Sequence, residues 1–345
     1  MPKATIDDVA TLADVSIKTV SRVVNREPNV REATREKVEK AIAKLNYRPN
    51  KAAQNLASHH SRLIVLVYDD PSAYEIPSAG FIIRMQQGAL RACWSANYEL
   101  LIHPCRYRNK DVGEELKALI EQVRPDGIVL AAPLSNVNRI VNAILETQTP
   151  IVRLSPGKQN GKQFSVATND REICAEMTRY LVSLGHRRIA FIKGHPDHKA
   201  VGNRYLGYQD GLKQCGLPIS DEFVIEGDNS ILSGEACAAE LLNRPQPPSA
   251  IFAANDDMAA GVIRVADRLE IKVPEQLSVA GCDDIALAQQ IYPALTTINQ
   301  PLAAMADEAV RLLINPEGKT KTPRTAIVPG TLRVRDSTGP APGQL

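Results

Sequence analysis

From residue 63 onward the chain alternates short apolar runs with amphipathic stretches, and this pattern restricts the fold more than any other feature. Runs at 63–67, 98–102, 127–131, 151–154, 188–192, 250–253 and 277–281 read as buried strands. Helical patterns lie between them, for instance at 83–96, 111–122, 173–184 and 258–269. Strands separated by helices are joined by crossovers, which makes them parallel, and a parallel sheet needs helices on both faces. The number of repeats points to two doubly wound parallel-sheet lobes. A chain of 345 residues suits such a pair plus one small module. No apolar run reaches the length of a membrane span, and the first eight residues, MPKATIDD, carry no apolar stretch of the signal-peptide kind. The expectation is a soluble, cytoplasmic protein with no membrane partner.

The first 60 residues follow a different pattern. Thr5 can cap a helix, with Asp8 supplying the reciprocal carboxylate, and Ile6, Val9, Ala10 and Ala13 then share one face. After a break at Asp14 and Val15, Ser16 can cap a second helix over 17–24 with Val20, Val23 and Val24 inward. A third helix is expected over 32–45, ended before Pro49 because the residue preceding proline is steered out of the helical region. Two short helices joined by a tight turn, with a third behind them, predict an all-α helix-turn-helix headpiece.

The net charge of +2 divides unevenly. Residues 1–62 hold 12 Lys/Arg against 7 Asp/Glu, a net of +5, leaving 29 against 32 for the remainder. A basic amino-terminal module is what phosphate binding needs, since each cation displaces counterions, although a solvated basic face has the same composition. The six cysteines form no CxxC pair and no His/Cys cluster with recognised ligand spacing. Buried reduced thiols are expected, with no metal site and no cofactor.

The stretches Thr5–Ala10, Val15–Asn25, Thr34–Val38 and Leu45–Asn50 resemble the headpiece of the LacI/GalR, or lactose-repressor, family. The resemblance continues in order through Leu181–Ile189, Ala254–Ala259, Gly281–Asp284 and Pro293–Ile298, spanning residues 4 to about 335. It implies a sequence-specific, ligand-responsive transcription repressor, with a core like the two-lobed periplasmic sugar-binding proteins. The corresponding division is 1–49 for the headpiece and 50–61 for a hinge helix and linker. The first core lobe takes 62–154 with about 294–322, the second takes 155–293 with about 323–336, and 337–345 form a flexible tail.

On this resemblance the second helix enters the major groove of double-stranded DNA. Ile17, Lys18 and Arg22 are its base readers: Arg22 as a fork suited to guanine, Lys18 as a donor to guanine or phosphate, Ile17 as an apolar surface for a thymine methyl. Thr5, Ser16, Thr19, Ser21, Asn25, Thr34 and Tyr47 are expected at the DNA backbone. Thr5 and Ser16 can also be only caps, and Tyr47 only core. The hinge residues Asn50, Ala53, Gln54, Leu56 and Ala57 match the family's minor-groove segment, where Leu56 wedges between base pairs. Read without the family, Leu56 is a linker residue.

The effector is expected between the lobes, at the carboxyl ends of the strands. Asp69, Arg204, Asn255 and Asp283 are the first candidates by motif, followed by Tyr74, Ser155, Thr168, Asn229 and Gln300. Carboxylate, amide and guanidinium groups converging on one cleft suit a saccharide, because each engages adjacent hydroxyls in pairs. Asp256, Asp283 and Asp284 can alternatively cap the helices after their strands. Asn229 stands where a galactoside-sensing relative carries a stacking tryptophan, so galactoside specificity is not carried over. Arg153 and Lys193 leave open an acidic or phosphorylated ligand, and a nucleobase is a further alternative. Trp94 reads as packing or interface.

A pseudo-palindromic operator is matched by a twofold homodimer, and the absence of leucine heptads at the carboxyl end argues against a tetramerising coiled coil. A solute-binding protein without regulatory role does not explain the basic headpiece. An enzyme is disfavoured as well: no GxGxxG follows the first strand, and there is neither a P-loop nor a nucleophile elbow.

Overall fold

The computed structural model describes residues 4–24, 27–47, 61–70, 79–157, 163–315 and 324–343. They form two compact units, Met1–Ser61 and Arg62–Leu345.

The small unit holds helices α1 (Ile6–Ala13), α2 (Ile17–Val24) and α3 (Glu32–Leu45). The expected capping box is formed. The Thr5 N–H donates to Asp8 Oδ2 at 2.8 Å, and the Asp8 N–H donates to Thr5 Oγ1 at 3.3 Å. Asp14 ends α1 in the left-handed region at φ 51°, which turns the chain sharply into α2. Ser16 Oγ then accepts from the Thr19 N–H at 3.2 Å. Val9, Val20, Val23 and Val38 are buried between the three helices, joined by Ala10, Ala13 and Ala41.

The large unit contains two six-stranded sheets. Its strands are β1 (Leu63–Asp69), β2 (Glu99–Cys105), β3 (Gly127–Leu130), β4 (Ile151–Leu154), β5 (Phe164–Ala167), β6 (Ile189–Lys193), β7 (Val224–Glu226), β8 (Ala250–Ala253), β9 (Ser278–Asp283), β10 (Thr296–Asn299), β11 (Thr325–Ile327) and β12 (Thr331–Arg333). The first sheet runs β11-β5-β4-β3-β1-β2 and the second β12-β10-β9-β8-β6-β7. All pairings are parallel except β10 with β12. The central strands are apolar on both faces, as parallel burial requires: Ile64, Val65, Leu66 and Val67 are all fully buried.

Helices α4 (Gly80–Ser95) and α12 (Leu302–Ile314) cover one face of the first sheet, and α5 (Val112–Val123) and α6 (Asn138–Glu146) the other. Gly88 lets α4 approach α12, since a Cβ there would lie 1.9 Å from the Ala303 carbonyl oxygen. The second sheet packs against α7 (Asp170–Ser183), α8 (Ala200–Gln214), α9 (Ile231–Leu242) and α10 (Asp256–Arg268), with a short α11 (Leu287–Gln290) after β9. Its core is built on Phe191, whose ring lies 5.0 Å from Tyr208 and 5.2 Å from Phe252.

The chain passes between the lobes after β5, after β10 and between β11 and β12. Two of these passages are tied side by side, the Val328 N–H donating to the Ala167 carbonyl at 2.9 Å and the Gly330 N–H to Asn169 Oδ1 at 2.8 Å. The lobe boundaries therefore differ from those expected. β5 and β11 belong to the first sheet, and β10 to the second, because one edge of each sheet, β11 and β12 respectively, is completed by a strand distant in sequence. The expected flexible tail is docked through residue 341. Ser337 Oγ donates to the Val279 carbonyl at 2.6 Å and the Ala341 N–H to the Leu184 carbonyl at 2.8 Å. His186 is fully buried against this segment, within 3.1 Å of the Gly339 carbonyl and 2.9 Å of the Ser249 and Ser278 hydroxyls. Among the described residues no helix is long and apolar enough to cross a membrane.

Candidate functional site

In the headpiece, the inward valines of α2 leave Ile17, Lys18 and Arg22 exposed on its outer side, with Ser21 partly so. Ile17 is 47% exposed. Arg22 Nε lies 3.6 Å from Glu27 Oε2, and both side chains are about half exposed. Such a pair holds the guanidinium weakly and can be exchanged for another acceptor. Thr5 and Ser16 are engaged as caps, and the Ser16 and Thr19 hydroxyls lie 2.9 Å apart. Thr34 is half-buried in the first turn of α3. Tyr47 packs against the headpiece core, and burial together with Asp7 raises its phenol above the ordinary range. Asn25 and the hinge residues Asn50, Ala53, Gln54, Leu56 and Ala57 lie outside the described residues, as does Tyr74.

In the core, the expected effector residues stand at the carboxyl ends of strands. Asp69 ends β1, Ser155 follows β4 and Thr168 follows β5. In the second lobe Asp283 ends β9, while Asn229, Asn255 and Gln300 follow β7, β8 and β10. The structure brings Arg204, Asp283 and Gln300 into one buried cluster around a residue the sequence reading did not select, Asp170. Asp170 Oδ1 accepts from Arg204 Nε and from Gln300 Nε2, each at 3.2 Å. Arg204 Nη2 lies 3.2 Å from Asp283 Oδ1, and Nη1 donates to the Ala254 carbonyl. All four side chains are buried. Burial pushes the Asp283 carboxyl well up, with Asp257 and Asp170 adding to the effect and Arg204 opposing it. Asp283 also has φ 122°, a conformation rare outside glycine and typical of strained functional positions.

The remaining candidates have mostly structural partners. Asn255 is the cap of α10, its Oδ1 accepting from the Met258 N–H at 3.0 Å and its Nδ2 donating to the Asn229 carbonyl at 2.9 Å. Asn229, at φ 75°, accepts from the His195 N–H at 3.3 Å. Asp69 Oδ1 accepts from the Tyr107 N–H at 3.4 Å. Thr168 Oγ1 donates to Asn169 Oδ1 at 3.3 Å, and Ser155 is a left-handed residue at φ 47°.

Asp256 and Asp284 are not helix caps. Asp256 accepts from the Ile285 N–H at 2.9 Å and from the Thr297 hydroxyl, and Asp284 accepts from Asn299 at 2.7 Å and Arg335 at 2.6 Å. Both tie β9 to its neighbours. Arg153 and Lys193 also have partners within the protein. Arg153 is buried against the Ser135 carbonyl at 2.8 Å, and Lys193 sits over the Tyr205 ring near Glu226.

Two connections between the lobes were not foreseen. Tyr107 Oη donates to Asp197 Oδ2 at 2.5 Å, with Arg108 Nη2 at 2.6 Å from His195 Nε2. Arg84 of α4 donates to the Asp283 and Asp284 carbonyls at 3.3 and 2.7 Å. An arginine and a tyrosine on a loop carry no sequence signal of a partner on another lobe.

Residues 5–50 match the model of the bacterial regulatory proteins of the lacI family, and residues 178–338 that of the periplasmic binding protein-like domain. The probable HTH-type transcriptional repressor ExuR of Bacillus subtilis (strain 168) is 32% identical over 96% of this chain and 98% of its own length. Among solved structures, the lac repressor dimer bound to operator and the anti-inducer ONPF superposes with a TM-score of 0.81. That match has 28% identity and covers 98% of this chain and 100% of that one. A transcriptional regulator CelR–cellobiose complex gives 0.74 at 30% identity, covering 97% of this chain and 99% of that one. The chain belongs to the lacI family of bacterial regulatory proteins.

Proposed function

We propose that this protein is an operator-binding transcription repressor that acts as a cytoplasmic homodimer and answers to a saccharide held at the carboxyl ends of the core strands. It is a regulator and not an enzyme. The observation that carries the reading is the pairing, in one chain, of an exposed polar face on α2 with a buried Arg204–Asp170–Asp283–Gln300 cluster in a two-lobed core. Ile17, Lys18 and Arg22 read bases, and the hydroxyls of Thr5, Ser16, Thr19, Ser21 and Thr34, together with Tyr47, position the backbone. Asn25 adds a backbone contact, and the hinge residues, Leu56 foremost, occupy the minor groove.

In the core, one guanidinium held by two carboxylates, one of which also accepts from the Gln300 amide, presents a fixed array of donors and acceptors, matched to adjacent hydroxyls. Asp69, Ser155, Thr168, Asn229 and Asn255 complete the walls, and Tyr74, outside the described residues, is a further candidate contact. The partners found for Arg153 and Lys193 withdraw the support those two gave to an acidic ligand. A sugar-bound relative, the CelR–cellobiose complex, favours the same chemistry, and genes of carbohydrate uptake or catabolism are the natural targets.

A homodimer accounts for a further feature. Ile83, Leu90 and Trp94 lie along one side of α4 at 48%, 58% and 82% exposure, beside Ile102 of the edge strand β2 at 40%. A second copy of the chain removes this apolar surface from water. Ligand shifts the lobes, the dimer interface and the paired hinges follow, and operator affinity changes by the differential affinity of the ligand for the two states. Thermal-shift screening of the intact protein against monosaccharides and disaccharides tests the effector class. Stabilisation by a sugar is expected, and stabilisation by nucleobases alone contradicts it.

A further inference from the structure

Behind β2, away from the Arg204 cluster, three different metal-ligating side chains converge. His103 and Cys105 are two apart on β2 and so point to the same side of the sheet. Helix α5 packs on that side and contributes Glu115. The Glu115 Oε1 atom is 3.0 Å from His103 Nε2 and 3.8 Å from Cys105 Sγ, and the donor atoms of all three residues lie within 4.8 Å of one another. Bonds of roughly 2.0–2.3 Å in a tetrahedral site place neighbouring donors about 3.3–3.8 Å apart. The two Glu115 distances bracket that edge, so small side-chain adjustments suffice.

The surroundings suit a cation. Lys117, the nearest lysine on α5, is drawn to Glu114 and Glu146 and leaves Glu115 to His103 and Cys105. The Asp70 N–H donates to the Cys105 carbonyl at 2.8 Å, and the Asp70 carboxylate pairs with Arg106 at 3.4 Å, which draws that arginine's charge to Asp70. Cys105 is buried, whereas the His103 and Glu115 side chains retain 24% and 44% of their exposure. The site thus has a protected sulfur and a wet side through which an ion enters and keeps a water.

We propose that His103, Cys105 and Glu115 bind a borderline divalent cation of the zinc class, with solvent completing the coordination. A nitrogen, a sulfur and one carboxylate oxygen select such an ion over magnesium or calcium. Binding replaces the thiol proton by the metal, so one proton is released to solvent for each thiolate–metal bond formed. The ion stands next to the loop that carries Tyr107 and Arg108 to the second lobe, and it stiffens the end of β2 from which that loop departs.

The test is a titration of the reduced, full-length protein with cobalt(II), followed by visible and near-ultraviolet absorption. One equivalent is expected to bind with a tetrahedral d–d spectrum and a thiolate-to-cobalt charge-transfer band. Cys105→Ser is expected to abolish that band. His103→Gln and Glu115→Gln, at partly exposed positions that keep the fold by circular dichroism, are each expected to weaken binding by about tenfold or more. The proposal is overturned if the wild-type protein shows no charge-transfer band. It is equally overturned if affinity and spectrum are unchanged in both glutamine variants, whatever the fate of the cysteine variant.

Discussion

Arg204 and Asp283 meet at 3.2 Å in the interior of the second lobe, joining the first turns of α8 to the end of β9. Asp170 binds the same guanidinium at 3.2 Å, so a single cation faces two buried carboxylates. Removing it leaves both acids without their charge partner. Arg204→Ala is therefore expected to destabilise the core by about 3–5 kcal/mol and to eliminate the ligand response. The headpiece face is untouched, so operator binding persists at temperatures where the variant is folded. Thermal melts and operator titrations with and without ligand check both parts, and an undiminished response would remove Arg204 from the effector site.

Among the described residues the Arg22 side chain is held by a solvent-exposed ion pair with Glu27, and its role is expected to lie in the DNA complex. Arg22→Ala should cost about 1–3 kcal/mol of discrimination between operator and unrelated duplex. Salt-dependent nonspecific binding should remain, with a slope shallower by about one unit at most. Fluorescence anisotropy with both duplexes across a salt series measures the two quantities separately. Equal losses on both duplexes would make Arg22 a phosphate contact.

His186 gives a pH dependence with a definite sign. Its ring is fully buried, and burial holds its pKa below the ordinary 6.5, partly offset by the Gly339 carbonyl. The unfolded chain therefore binds the proton more readily. The stability contributed is complete above about pH 6.5 and is lost as the pH falls below it. The melting temperature of the core should decline from pH 7.5 to 5.5, and His186→Asn should flatten that decline while lowering stability at pH 7.5. Parallel pH profiles for the two proteins would refute the assignment.

The exposed side of α4 predicts an assembly defect. Leu90→Asp places a charge in the middle of the Ile83–Leu90–Trp94 row and should convert dimer to monomer at micromolar concentration, read by sedimentation velocity. Operator affinity should fall with it, because a monomer engages only one half-site. A dimer of wild-type stability in this variant would move the interface elsewhere.

The parts of the fold legible in the sequence are those whose signals are local. The capping box at Thr5 and Asp8, the valine face of α2 and the apolar strands β1, β2, β3, β4, β6, β8 and β9 all follow from spacing within about ten residues, whereas the short β5 and β7 carried no such signal. The lobe boundaries were not legible, because β10, β11 and β12 are three- or four-residue strands whose sheet membership is set by partners far along the chain. The docked tail escaped for the same reason. Ser337 and Ala341 look like linker residues until the Val279 and Leu184 carbonyls are placed beside them. In the buried Arg204 cluster, motif similarity pointed to Arg204 and Asp283 and not to Asp170, since an acid in the first turn of a helix ordinarily reads as a dipole partner. His103 and Cys105 escaped because a strand presents ligands two residues apart, while the familiar metal signatures are spacings of turns and helices.

A ligand-controlled repressor must couple its ligand site to its operator site through this chain. The measurement is selection of duplexes from a random DNA pool by the full-length protein, followed by titration of the selected duplex in the presence of the sugar that best stabilises the core. The expected outcome is a pseudo-palindromic sequence whose affinity shifts about 5–150-fold on sugar binding. Enrichment of no sequence, or an operator affinity that stays constant while the core is saturated with sugar, would contradict it.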